Sequence, residues 1–441
     1  MSTVPVRLEE LAAGESLAPP RRSLLQAVLA AGLPSARDEN WRYAYLRALD
    51  RQAFAPAARP GAEAQRLAAS VLPAPLEGHA RLVVVDGWFC PELSNEPLPQ
   101  GVSRLAGAAL DAAWVATAPS AAYAPATPSR PLAAGPASVD LRLSQLNAAL
   151  APEALAIELP PGSDAALEVV FVATQDGAVA ASHPALRLRL GESAALSLVE
   201  RHLGAGDAGS FTNADLQLEV GRGARLRHTR LQLLGPRARH FETLALRAGD
   251  GCECEFLSLA AGAQSARSTA LLELAGREAS LQWNAVALGD RTQVNDAFVR
   301  VEHAGPGART RQAFRGIAAG RSRVAFNGHM VVREGALGAS SDQSLKALLA
   351  GSEAEADVRP QLEIYVDDVR ASHGATVGKL DEQMRFYLLS RGIDRETADA
   401  LLKWAFVEDV ASRIAPAALR HQVEDAMATQ LRAVVDVGGI R

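Results

Sequence analysis

The chain has 441 residues, too many for one hydrophobic core, so two or three domains are expected. Its 45 lysines and arginines against 50 acidic residues give a formal charge of −5, and no basic stripe interleaved with aromatics occurs, which argues against nucleic acid as a partner. No apolar run approaches the roughly 18 residues needed to cross a bilayer, the first residues lack a secretory pattern, and Cys90, Cys252 and Cys254 are too few for a disulfide framework, so a cytoplasmic protein is expected with no membrane partner.

From Pro19 the pattern is helical, with Leu24, Leu25, Val28 and Leu29 on one face and Gly32 where a helix would stop. A second amphipathic piece follows Pro34. Arg81 to Gly87 is β-branched and ends in a turn dipeptide, which places one strand in this first, mixed and largely helical domain, residues 1–150. Residues 117–138 turn to alanine, proline and serine, a composition that suits an extended linker, and Leu143 to Leu150 read as one more short helix.

The central region, residues 151–372, carries an internal repeat. Gly191, Gly221, Gly249, Gly276 and Gly305 follow one another at 30, 28, 27 and 29 residues. Three residues after each stands Ala194, Ala224, Cys252, Ala279 or Ala308, and five after stands Leu196, Leu226, Cys254, Leu281 or Thr310. Flanking segments such as Leu186 to Leu190 alternate apolar and polar. A turn glycine followed by an alternating strand at this period predicts a mainly β protein with a β-helix core, and Gly320 and Gly335 at half the spacing imply two turns per coil. A β-sandwich with even strand spacing is the competing architecture.

From residue 373 to 441 the period becomes helical. Met384, Leu388 and Leu389 share a face, Gly392 ends that helix, and Asp394 caps a second whose Leu402, Phe406, Val410 and Ile414 recur every four residues. A third opens at Pro416 with Leu419, Val423, Met427 and Leu431 at the same spacing. About 60 residues of helix need something to dock on, so the face of Leu402, Phe406 and Val410 is read as a partner surface.

Candidate chemistry is sparse. Cys252 and Cys254 fill slots that hold Ala and Leu in neighbouring repeats, which favours a core role over a metal or redox pair. Gly374 to Leu380 has the wrong spacing for a phosphate loop, with Leu380 after the lysine, so the chain is not expected to hydrolyse ATP itself. His373 stands at the junction of the β region and the helical tail, with Glu363, Asp367 and Asp368 shortly before it. An imidazole and carboxylates can bind iron, although Asp367 and Asp368 also suit a turn that keeps an edge strand soluble.

Pro360 to Val369 followed by Ser372-His373-Gly374-Ala375-Thr376-Val377-Gly378 resembles the SufB/SufD family of iron–sulfur cluster assembly scaffolds, on its SufD branch. Gly32-Leu33-Pro34 with Glu39 and Trp41-Arg42-Tyr43, Asp296 with His303, Phe326-Asn327-Gly328, and Phe386-Tyr387-Leu388 with Ser390-Arg391-Gly392-Ile393 extend the resemblance over nearly the whole chain. It implies a β-helix between an N-terminal and a helical C-terminal domain, and a non-enzymatic scaffold. The β-helix end is expected to pair with a SufB-like paralogue, or with a second copy in isolation, and the C-terminal domain is expected to hold a SufC-like ATPase. The resemblance puts His373 at the SufB interface as a ligand of iron or a nascent iron–sulfur cluster, bound transiently and not as a resident cofactor of this chain alone. Many relatives have cysteine where this chain has Ala371, so no thiolate is available there. The rival functional reading is a carbohydrate-active enzyme with Asp or Glu on the solenoid flank.

Overall fold

The computed structural model describes residues 17–35, 38–44, 55–95, 97–117, 140–174, 180–206, 209–412, 414 and 417–431. The segment from 118 to 138 read as a linker and the Pro416 that opens the third tail helix lie outside them. The N-terminal helices are α1 (Pro19–Ala31), α2 (Ala62–Val71), α3 (Ala108–Thr117) and α4 (Arg142–Leu150). Strands β1 (Ala55–Pro56), β2 (Ala80–Val85), β3 (Trp88–Phe89) and β4 (Val102–Ala106) lie among them. There follow β5 (Glu153–Leu159), β6 (Asp164–Ala173), β7 (Ala180–Ser182), β8 (Ala185–Leu190), β9 (Ala195–Gly204), β10 (Phe211–Val220), β11 (Arg225–Leu233), β12 (Arg239–Ala248) and β13 (Glu253–Ala260). The series continues through β14 (Ser265–Leu274), β15 (Ser280–Gly289), β16 (Val294–His303), β17 (Arg309–Ala318), β18 (Arg323–Val332), β19 (Ala339–Leu349), β20 (Glu355–Ile364) and β21 (Val369–Lys379). Helices α5 (Glu382–Ser390), α6 (Arg395–Ala411) and α7 (Ala417–Leu431) close the described chain.

From β8 onward the strands alternate between two sheets. One runs β20-β18-β16-β14-β12-β10-β8-β5-β4 and the other β21-β19-β17-β15-β13-β11-β9-β6-β2-β3. Each coil contributes one strand to each sheet, and every pairing between successive coils is parallel and in register, as in β12 with β14, where Arg239 faces Ser265 and Ala248 faces Leu274. This is the β-helix that the glycine period predicts. The strand expected in the first domain, β2, is in fact part of it: β2 pairs in parallel with β6.

The repeat has a stereochemical cause. Two residues after each periodic glycine the backbone enters the left-handed region, at Ser193 (φ 57°), Gly223 (62°), Gly251 (60°), Glu278 (53°) and Gly307 (70°). Stacked corners also bring backbone onto backbone: a Cβ at Gly305 would collide with the Gly276 carbonyl. Ala194, Ala224, Cys252, Ala279 and Ala308 are all fully buried behind these corners.

Strict alternation fades in the middle of the solenoid because both faces of its sheets are covered. Inside, Leu196, Leu226, Leu246, Leu272, Phe314 and Phe326 belong to one continuous core. Outside the first sheet, Phe211 and Phe241 pack with Trp41, Leu25 and Val28 of the N-terminal region. Outside the second, Leu231, Leu259, Val286, Leu288 and Ile317 pack with Val407, Val410, Ile414 and the Leu419-Val423-Met427-Leu431 stripe.

The two ends differ. At the start of the solenoid β3 pairs antiparallel with β2 and β4 antiparallel with β5, so short reversed strands cap both sheets. At the other end β20 and β21 are the last strands of their sheets. Their residues are mostly half-buried in β20 and mostly exposed in β21.

Candidate functional site

His373 sits on β21 opposite Gln343 of β19, which in turn faces Gln312 of β17. The same column continues inward through Trp283, Phe256 and His228. Its members point into the lumen: Gln312 and Gln343 are almost fully buried, and Gln343 Nε2 donates to Gln312 Oε1 at 2.8 Å and to the carbonyl of Gly328 across the solenoid at 3.3 Å. Phe256 and Trp283 stack with centroids 5.1 Å apart. His373 is therefore the outermost rung of an interior ladder, exposed because no further coil covers it. Ala371, Ala375 and Val377 share its face by strand alternation.

The three acids do not gather around it. Glu363, on β20, pairs with His329 at 2.9 Å and accepts from the Tyr365 hydroxyl at 3.4 Å. Asp367 and Asp368 form the corner between β20 and β21, where the Asp368 carbonyl accepts from Gly338 N at 2.8 Å. Five residues of extended chain, about 16 Å, separate that corner from His373. Nearness in sequence is undone by the corner, which sends the two strands into different sheets.

The tail corrects the expected partner surface. Val410 is fully buried against the β-helix, and Leu402 and Phe406 pack partly buried on the same cluster, so this face docks the tail on its own solenoid. Arg315 on β17 pairs with Asp409 at 2.8 Å beside it. Met384, read as sharing a face with Leu388 and Leu389, is exposed on α5 together with Phe386 (72 % exposed) and Tyr387. What holds α5 is Asp381, which caps Gln383 N at 2.8 Å, and the buried Arg385, paired with Glu382 at 2.6 Å and Asp399 at 2.7 Å.

Sequence reasoning overlooked a buried polar group in the lumen. In Leu196 to His202 the inward positions begin Leu196, Leu198 and then become Glu200 and His202, a polar substitution on the core face that marks the site in retrospect. Glu200 pairs with His202 Nε2 at 2.5 Å and His228 Nε2 at 2.8 Å. Burial alone would raise the Glu200 pKa, but those two imidazoles outweigh it and hold the carboxylate ionised. His240 Nε2 meets Glu242 at 3.0 Å, and Arg230 pairs with the same carboxylate.

The thiols are not part of any such site. Cys252 and Cys254 lie in the solenoid core as the repeat implies, and the hydrogen bond with Cys252 together with burial pushes the Cys254 thiol up. Burial and the neighbouring Glu92 push Cys90 up to about 11.

A family model described as "SUF system FeS cluster assembly, SufBD core domain" matches residues 171–406, more than half of the chain. The chain belongs to the SufBD family. Over 416 residues this SufBD chain is 29 % identical to the iron-sulfur cluster assembly protein SufD of Escherichia coli, spanning 93 % of the chain and 92 % of that relative. It is 24 % identical over 404 residues to an iron-sulfur cluster assembly SufBD family protein of Synechocystis, with 89 % and 86 % covered. Several flank carboxylates of this SufBD β-helix are spent in arginine pairs along the outer ladders, Glu219 with Arg189, Glu255 with Arg227 and Glu273 with Arg247. Among the described residues no helix is long and apolar enough to cross a membrane.

Proposed function

We propose that the chain is a non-catalytic scaffold subunit for iron–sulfur cluster assembly, which pairs through β20 and β21 with the β-helix of a SufB-like paralogue. The observation that carries this reading is the uncovered β-helix end in a SufBD-family chain, with His373 as the last rung of the lumen ladder. Unpaired strand edges are templates for another strand, and the exposed Ile364, Tyr365 and Val377 add apolar area beside them. A second copy of this chain can occupy the same edges when the paralogue is missing.

His373 then faces the partner at the seam and offers an imidazole nitrogen to iron or a nascent cluster, held there as cargo. Ala371 supplies no thiolate, so sulfur ligands come from the partner. A SufC-like ATPase docks on the C-terminal helices, and the exposed Met384, Phe386 and Tyr387 of α5 are the face it uses.

The test is assembly by the co-purified complex under anaerobic conditions, with His373→Ala in this chain. The expected result is an intact complex that incorporates far less iron and sulfide. Unchanged incorporation removes His373 from the mechanism, and loss of the complex itself assigns the histidine to pairing alone.

A further inference from the structure

Deep in the lumen, five strand spacings or about 24 Å from the β21 edge, six ionisable side chains converge that edge pairing does not use. Glu200 and His202 come from β9, His228 and Arg230 from β11, and His240 and Glu242 from β12. All are buried. Two carboxylates face one guanidinium, an imbalance that a proton on an imidazole or a bound cation must offset.

The hydrogen bonding prepares a donor. His202 gives its Nε2 to Glu200, so the proton resides on Nε2 and the Nδ1 lone pair is left free, and His202 Nδ1 has no hydrogen-bond partner. A carboxylate behind a histidine in this way is the arrangement that orients and strengthens a metal-ligating imidazole. One donor atom each from His202, His240 and Glu242 lies within 4.8 Å of the others. Around a tetrahedral ion with bonds of about 2.1 Å the donors stand about 3.4 Å apart, so closure requires movements of about 1 Å.

Space exists for a further ligand. A cavity of about 40 Å³ opens beside His240 and Glu242, lined by the small side chains of Ser258, Ala260, Ser268 and Ala285. That volume admits a water molecule or two. The stacked pair Phe314 and Phe326, with centroids 4.6 Å apart, stands in the lumen between this cavity and the β20–β21 end.

We propose that His202, His240 and Glu242 form a lumen site for one divalent transition-metal ion, Fe2+ or Zn2+, with water completing the coordination and Glu200 orienting His202 as a positioning residue. Two imidazoles, one carboxylate and an open position suit both ions. Arg230 shares Glu242 with the ion, so the loaded site carries one net positive charge, which loss of a proton from the bound water would cancel.

The full chain, with any subunits that co-purify, is stripped with chelator, refolded from mild denaturant in excess Fe2+, Zn2+ or the spectroscopic probe Co2+, and desalted. One equivalent of metal is expected, with ligand-field absorption in the Co2+ sample and competition between Fe2+ and Zn2+ showing which is preferred. Glu242→Gln and His240→Gln should lose it, and Glu200→Gln should weaken it roughly 10- to 100-fold. Wild-type protein without a tightly held equivalent overturns the proposal, as does an unchanged equivalent in Glu242→Gln. Should His240→Gln fail to fold, the wild-type titration and the isosteric Glu242→Gln decide alone.

Discussion

Gln343 donates to Gln312 at 2.8 Å in a lumen that is otherwise mostly apolar, and the next residue in that register is the exposed His373. The ladder couples an interior hydrogen-bonded pair to an exposed position at the end of the β-helix. Gln343→Ala leaves Gln312 Oε1 buried without its donor, and a loss of about 1–3 kcal/mol in urea unfolding is expected. His373→Ala, at an exposed rung, should stay within about 0.5 kcal/mol of wild type.

The corners make opposite demands on neighbouring residues. Glu278 holds a left-handed φ of 53° without being glycine, a conformation that costs an L-residue about 1–2 kcal/mol. Glu278→Gly should therefore keep or raise the melting temperature. Gly305→Ala drives a methyl group into the Gly276 carbonyl and should lower stability by about 1–3 kcal/mol. If both variants melt together, stacking does not set the corner sequence.

His303 links stability to pH. Its ring is fully buried with Nε2 2.6 Å from Thr310 Oγ1, and burial lowers its pKa from 6.5 to about 4. A depressed histidine pKa means the unfolded chain takes up the proton first, so its contribution is complete above pH 6.5 and is lost as pH falls toward 4. About 2 kcal/mol should disappear between pH 7 and pH 5. Denaturant titrations at the two pH values should show that slope flattened in His303→Gln.

On the proposed docking, the two faces of the tail separate folding from partner binding. Val410→Asp buries a carboxylate among Val286, Ile317 and Val407 and should detach or unfold α6 and α7, read as lost helical ellipticity and new protease sensitivity. Phe386→Asp on the exposed face should leave the melt unchanged and abolish retention of the ATPase in pull-down. ATPase retention by a folded Phe386→Asp chain would move the dock elsewhere.

The solenoid could be read from the chain because its repeat is written in corner geometry. A left-handed φ two residues after each periodic glycine and close backbone contact at the glycine itself recur whatever the strands contain. The helices of the tail were equally legible, since Leu419, Val423, Met427 and Leu431 do line one buried face. Which way such a face points was not legible, because amphipathicity states that Val410 is covered and leaves open whether the cover is another chain or the same chain's β-helix. The acids near His373 show the converse: Glu363 belongs to the sheet opposite, where its partner His329 stands 34 residues earlier in sequence. The lumen group of His202, His240 and Glu242 assembles from two strands, one in each sheet, a convergence that only the coil register creates.

The unlike ends of the solenoid set a count. The short reversed strands β3 and β4, of 2 and 5 residues, end the sheets on one side, while β20 and β21, of 10 and 11 residues, end them on the other. If pairing runs through β20 and β21 as proposed, the first partner to arrive consumes the long open edges of both molecules, and among the described residues the far end offers only the short edges of β3 and β4. On that proposal assembly through these edges terminates at a pair, which protects a strand-rich protein from fibre formation without any sacrifice of edge complementarity.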